Sequence, residues 1–385
     1  MARTTLDLSH KVLKWARESA GFDIHEAAER LKVPPDLLKS WEEGHGSPEL
    51  PVFHKMVTVY RRPPTVFLFS SPPLEKELPQ DFRTLGGGPQ RLSPDVRFAI
   101  RQAEFLRQEI SALVKDTPAL LGSKSHLEAA SLHDNPEDQA KKIRRQMNVA
   151  SGDQLQWQIG EAFRNWRTKV QDLGVLVFSL KMPLEDCRGF SLDGNELPAI
   201  IVNSTDESDQ AKSFTLFHEL GHILLHQSGI CTDFARTTKK YERWCNQFAG
   251  SVLIPETLLK SLLSERGLVG TQQWRFSDIT ELARRLKVSR QAVALRLIDL
   301  QIAGPSLYDF VLEELKKEPI KKKPKGGPVP PHIRSLSKIG TKGATVIFGA
   351  LSRGAIDTAK ASTILNLNPK WFNKLSDSIR TASRR

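Results

Sequence analysis

Phe217-His218-Glu219-Leu220-Gly221-His222-Ile223-Leu224-Leu225-His226 decides the reading of this chain. It contains His-Glu-x-x-His. On a helix, residues four apart stand one above the other, so His218 and His222 can offer two imidazoles to one metal ion. Glu219 sits beside the first of them, where its carboxylate can activate a metal-bound water. Ser213 to Phe217 before it and Ile223 to Leu225 after it are apolar enough to bury the helix. The pattern points to metal-assisted hydrolysis.

Zinc held for catalysis takes three protein ligands and keeps one position open. The third must come from elsewhere, and Glu242, Asp233, His226 and Glu256 all lie downstream. Glu242 opens a run with helical spacing, on a second helix that can pack against the first. His226 is rotated off the ligand face, and Asp233 falls in a polar loop. Upstream, Gly174 to Leu180, Arg188 to Leu192 and Leu197 to Asn203 read as strands, with Asp193-Gly194 as a turn. A small antiparallel sheet is therefore expected before the ligand helix. Its candidate edge, Ile200, Ile201, Val202 and Asn203, would bind substrate by strand addition.

Phe214-Thr215-Leu216-Phe217-His218-Glu219-Leu220-Gly221-His222, followed by Glu242-x-x-Cys245-Asn246-x-Phe248-Ala249 and Leu253-Ile254-Pro255, resembles the ImmA/IrrE family of metallo-endopeptidases. The resemblance covers roughly residues 170–300. It implies His218, His222 and Glu242 as metal ligands, Glu219 as general base, and Zn2+ as cofactor, with Mn2+ as another divalent candidate. The spacing of His222 and Glu242 also matches the gluzincin arrangement. Cys245 departs from the family, which usually has Ala there. Tyr241, Arg236 and His226 are candidates for stabilising the oxyanion.

Residues 12–60 read as a helical bundle. Gly21 ends one helix, Asp23 and Glu26 form a capping box for the next, and Val33-Pro34-Pro35 separates it from a third. This stretch resembles the Cro/cI (XRE-type) helix-turn-helix family over about 60 residues, which implies DNA binding through the third helix. Lys39 and Ser40 are its candidate DNA contacts. The helix lacks the Arg, Gln or Asn that makes most base contacts. Residues 1–70 carry 10 Lys/Arg against 9 Asp/Glu, which is little charge for holding phosphates. A bundle used for protein contacts is the rival reading.

Helices are also expected over Leu92–Val114, Ala140–Ala150 and Gln154–Val170. Phe276 to Ile302 repeats the helix-break-helix pattern, with Arg290, Gln291 and Arg296 on its second helix. Packing on the core is favoured there over DNA reading. Pro319 to Pro331 is a basic linker, and further helices are expected from Ile333 onward.

The chain has 385 residues, 39% hydrophobic and 26% charged, as in ordinary globular proteins. No window approaches the roughly 20 apolar residues that span a bilayer, so no membrane role is expected. Met1 to His10 lacks a signal-peptide core, and Cys187, Cys231 and Cys245 read as reduced thiols, so a cytoplasmic setting is expected. The formal charge of +12 is localised, because residues 316–385 hold 16 Lys/Arg and 3 Asp/Glu. That end would dock on an acidic partner or nucleic acid, or remain a solvated tail.

The fold class expected is α+β. It comprises an all-helical helix-turn-helix bundle (1–75), a helical connector (76–150), a zincin-like peptidase core (151–260), a helix-turn-helix-like element packed on it (261–304), and a basic linker with C-terminal helices (305–385). The function expected is a cytoplasmic regulatory zinc metallo-endopeptidase that cleaves a repressor- or antitoxin-like protein. The alternative is a DNA-binding regulator or antitoxin-type binding protein whose metal site is structural or inactive.

Overall fold

The computed structural model describes residues 8–74, 92–116, 127–194, 196–206, 208–226, 234–271, 273–318 and 327–383. It is mostly helical, with one small sheet. The chain divides into two compact units, Met1–Gln102 and Ala103–Arg385. Among the described residues, no helix is long and apolar enough to cross a membrane.

The first unit packs α1 (His10–Ala20), α2 (Ile24–Leu31), α3 (Pro35–Glu42) and α4 (Leu50–Val59) around Val12, Leu13, Leu31, Leu38 and Met56. Gly21 ends α1 in the left-handed region at φ 87°. Asp23 accepts the Glu26 amide at 2.8 Å, and Glu26 accepts the Asp23 amide at 2.9 Å, so the capping box forms. A buried ion pair ties α1 to α3, with Arg17 Nε and Nη2 each 2.8 Å from a Glu42 oxygen. Helix α5 (Pro94–Asp116) runs from this unit into the next.

The second unit continues with α6 (Pro136–Gln146), α7 (Ala162–Asp172), β1 (Leu176–Leu180), β2 (Gly189–Leu192), β3 (Ala199–Asn203), α8 (Asp209–Leu224) and α9 (Phe234–Leu253). Then come α10 (Glu256–Glu265), α11 (Phe276–Leu286), α12 (Arg290–Asp299), α13 (Ser306–Lys317), α14 (Pro331–Ser352), α15 (Thr358–Leu365) and α16 (Phe372–Ser383). One hydrophobic cluster runs from Ala140 to Val311, across the segment limits drawn at 150, 260 and 304. The helix expected from Gln154 begins only at Ala162. Short 3-10 turns replace its first part, and Gln154 is fully buried as a bracket. Its Nε2 donates to Leu253 O and Leu286 O, and its Oε1 accepts from Arg144.

The sheet is mixed, where an antiparallel one was expected. Its order is β1-β3-β2, with β3 parallel to β1 and antiparallel to β2. The strand expected at the edge is therefore the central one. The physical reason is visible in composition: Ala199-Ile200-Ile201-Val202 is a continuous apolar run, suited to a strand buried on both faces. All five β3 residues are buried, whereas β2 alternates half-buried and buried positions.

Helix α14 packs against β1 and bends at Gly340, whose φ of 83° and ψ of 162° are non-helical. A β-carbon there would meet the end of the Gln171 side chain at 2.3 Å, and the positive φ is what favours glycine. The buried Arg167 guanidinium donates to Ser337 O and Lys338 O just before the bend, and to Val177 O on β1. Carbonyls near the bend are thus satisfied by a charged donor.

Candidate metal centre

Ser208 caps α8 by accepting the Ala211 amide at 3.1 Å. Most of the helix is buried, with Leu216, Phe217, Leu220, Ile223 and Leu224 in the core and Phe217 meeting Trp166 edge-on at 5.0 Å. Helix α9 crosses α8 closely at Gly221. A β-carbon there would lie 3.1 Å from Cys245 Sγ and 3.3 Å from Cys245 Cα. That approach brings Glu242 to the two imidazoles.

His218 Nε2 is 3.3 Å from Glu242 Oε2, and His222 Nε2 is 3.3 Å from Glu242 Oε1. The two Nε2 atoms are 3.2 Å apart, and the three ligand atoms lie within 4.8 Å of one another. His218 Nδ1 is 3.0 Å from Asn246 Oδ1, a partner that fixes the ring orientation. Asn246 stands one turn after Glu242 on α9, so spacing places it on the same face. Sequence reasoning assigned it no role.

The electrostatics suit a cation. Burial alone would strip the proton from His222, yet hydrogen bonds with Cys245 and Glu242 and the Glu219 charge hold it on, up to about 12. Burial would raise the Glu242 carboxyl, but hydrogen bonds with His218 and His222 hold it well below the usual carboxylate range. Two imidazoles and a carboxylate sharing one small volume favour positive charge between them. Two nitrogens and one oxygen also fit a catalytic zinc site, which uses three protein ligands. Metal identity does not follow from the donor set, since Mn2+ takes carboxylate and imidazole as well.

Glu219 is 8% exposed and turns toward the start of β2. A β-carbon on Gly189 would be 2.4 Å from Thr215 Cγ2, 2.7 Å from Ile201 O and 3.7 Å from Glu219 Cγ. Only glycine lets β2 come this close to α8. Burial and the Glu219 charge push the Cys187 thiol up to about 12, so it stays protonated. Cys187 and Cys245 are buried free thiols, and Cys231 lies outside the described residues.

The other proposed ligands and contacts are placed elsewhere. His226 Nδ1 sits 2.9 Å from Asp193 Oδ2, and Glu256 pairs with Lys260 at 2.5 Å on the outer face of α10. Asp233 and the Arg236 side chain lie outside the described residues, and Tyr241 is half-buried immediately before Glu242. Ile200, Ile201 and Val202 are buried within the central strand and cannot take a substrate strand. Asn203 is a buried clamp: its Nδ2 donates to Met182 O and Cys187 O, and its Oδ1 accepts from Thr205. Among the described strands, β2 and β1 each pair only with β3 and form the two edges, with α14 packed against β1. Because Asn203 N donates to Arg188 O, ladder alternation turns the backbone groups of Gly189 and Ser191 outward.

A groove of about 820 Å³ opens beside Glu242 and Asn246 and reaches α12, with Phe214, Leu253 and Leu295 on its walls. Lys39 is exposed on α3 and 3.8 Å from Glu43, while Ser40 Oγ donates to Leu37 O. Arg296 on α12 is 4% exposed, donates to Ile254 O at 2.9 Å, and closes an ion pair with Glu137. Arg290 forks onto both Glu318 oxygens at 2.6 and 2.9 Å. The cations that gave this second helix its base-reading chemistry are occupied within the chain.

Residues 170–298 match the family model of the IrrE N-terminal-like domain, Peptidase M78. The matched segment holds the whole His218, His222 and Glu242 cluster, and it is similar to metallopeptidases of the ImmA/IrrE type. No curated protein matches the chain significantly.

Proposed function

We propose that the chain is a zinc-dependent regulatory metallo-endopeptidase of the cytoplasm. The observation that carries this reading is the convergence of His218, His222 and Glu242 beside a buried Glu219 and an edge strand. The three convergent groups would hold the ion, and Asn246 keeps the His218 ring in place. Zinc bound there would polarise a peptide carbonyl and lower the pKa of water.

The chain's own groups do the rest. A substrate strand lies along β2, hydrogen-bonded to the outward groups of Gly189 and Ser191. Its scissile bond would then lie near Glu219, since a β-carbon on Gly189 would be 3.7 Å from Glu219 Cγ. Glu219 takes the proton of the attacking water and returns it to the leaving amine. Its burial excludes competing solvent. Tyr241, beside Glu242 on α9, is a candidate to steady the oxyanion.

The substrate class we infer is a repressor- or antitoxin-like protein. Co-expression with the product of the neighbouring gene tests it: Glu219→Gln should retain metal and lose cleavage. Equal cutting by the variant would sink the general-base role. A second reading is a DNA-binding regulator or antitoxin-type partner with a structural metal, and it draws on the basic charge of residues 316–385. It expects a sequence-specific gel shift that His218→Ala leaves unchanged.

A further inference from the structure

Three helix pairs in this chain share one turn. Leu31-Lys32-Val33-Pro34 joins α2 to α3, Leu286-Lys287-Val288-Ser289 joins α11 to α12, and Leu365-Asn366-Leu367-Asn368 leads from α15 toward α16. In each, the second residue is left-handed, with φ of 61° at Lys32, 60° at Lys287 and 46° at Asn366. The apolar third residue tucks inward, and the fourth stands at the N-cap of the next helical turn. Such a turn between short helices is the plan of helix-turn-helix units. The third copy is anchored on α14, where Phe348 meets Phe372 edge-on at 5.6 Å and Ser335 Oγ donates to Leu365 O.

The copies differ in what the last helix shows to its surroundings. On α3, Lys39 is offset by Glu43 and Asp36 shares the surface. On α12, Arg290 and Arg296 are tied to Glu318, Ile254 and Glu137. At α16 the exposed side chains are Lys370 in the entering turn, then Asn373, Lys374, Asp377 and Arg380. Positions 370, 373, 374, 377 and 380 fall along one helical face. Lys370 and Asn373 have no side-chain hydrogen bond or ion pair among the described residues. Lys374 sits over the Trp371 ring at 5.1 Å, and Trp371 is itself stacked on His332 at 5.4 Å. The lysine is steadied without losing its charge.

The charge agrees with the geometry. Residues 319–385 hold 14 Lys/Arg and 2 Asp/Glu, which accounts for the whole formal charge of +12. Residues 1–318 are neutral by the same count. We propose that α16 is a DNA-reading helix, with Lys370, Asn373 and Lys374 entering the major groove of a duplex. An Asn amide pairs bidentately with adenine, and Lys donates to guanine or phosphate. Arg380, exposed on the same face, adds a phosphate contact that carries no sequence information. The surface binds independently of peptide cleavage.

The test uses the full chain, with selection from a pool of random duplexes and then anisotropy titration from 50 to 200 mM salt. Wild type should enrich one motif, and affinity for it should fall steeply with salt. Lys370→Ala/Asn373→Ala/Lys374→Ala should weaken that duplex at least ~30-fold. Asn373→Ala alone should erase preference at one base position. Arg380→Ala should weaken all duplexes alike and keep the motif. Lys39→Ala/Ser40→Ala should leave affinity within about twofold. Lys39, Lys370, Asn373, Lys374 and Arg380 are exposed and Ser40 is half-buried, and an unchanged melting temperature verifies each fold. Enrichment of no motif, single-stranded RNA bound as tightly as the selected duplex, or a triple variant as tight as wild type would each overturn the proposal.

Discussion

The helix pairs α8–α9 and α11–α12 are buried in the same hydrophobic cluster, and they use their polar side chains in opposite ways. On α12, Arg296 reaches a carbonyl 42 residues away and a carboxylate 159 residues away, and Arg290 is held by Glu318. Every such bond is completed by the chain itself. On α8 and α9, His218, His222 and Glu242 converge on one another, and the volume they share favours a positive charge. The difference teaches how function is recognised in this molecule. A polar group finished by the chain is structural, and a set that converges on what the chain does not supply is a site.

Glu219→Gln breaks the comparison most severely. Cleavage should fall about 10³-fold, within the usual range for a general base, while metal content measured by atomic absorption stays the same. Cleavage by the variant near the wild-type rate would move the α8–α9 pair to the structural side. Arg296→Ala comes next. It leaves Glu137 and Ile254 O without their partner, and urea denaturation should show a loss of about 3–5 kcal/mol. Arg290→Ala on the same helix should cost under about 1 kcal/mol, because its partner Glu318 is exposed.

Chelation sharpens the other side. If zinc binds at α8–α9, EDTA should lower the melting temperature, and zinc at 100 times its Kd should restore about 2.7 kcal/mol. His218→Ala should abolish the zinc response, and an unchanged response would place the ion elsewhere. Gly221→Ala tests the helix crossing. Its β-carbon would crowd Cys245, with an expected cost of about 1–3 kcal/mol and weaker metal binding in a competition titration.

A further effect, outside both helix pairs, concerns a half-buried cation. Burial lowers the Lys338 ammonium to about 8. The unfolded chain holds that proton up to about 10.4, so it binds more protons than the folded state between those values, and stability rises with pH there. Lys338→Met should therefore raise the melting temperature at pH 7, with a gain that shrinks toward pH 10. An equal gain at both would show that the lysine is solvated.

Local pattern makes much of this legible. His218 and His222 follow from four-residue spacing, Glu242 from a helix with a downstream carboxylate, and the Asp23–Glu26 box from its residue types. The sheet is less legible. Alternation finds strands and hairpins, but neighbour order depends on what covers each face, so β3 reads as an edge from sequence and is central in the fold. Its unbroken apolar run is the available signal. Gly189 gives no signal, because its requirement comes from Thr215 and Ile201 across the packing.

Sequence by itself paired His218 with His222, since helical periodicity fixes which neighbours share a face, and the family resemblance implied Glu242 and Glu219. It also showed the helix-break-helix pattern over residues 12–60 and 276–302, while the left-handed turn that they share with the α15–α16 pair became visible only in the structure. Only the tertiary structure decided that β2 is an edge strand, that Asn203 is a clamp, and that Arg296 is occupied. Those outcomes depend on partners far away in the chain. Hydrogen-bond and packing partners are chosen by distance in space, and local sequence carries no record of it.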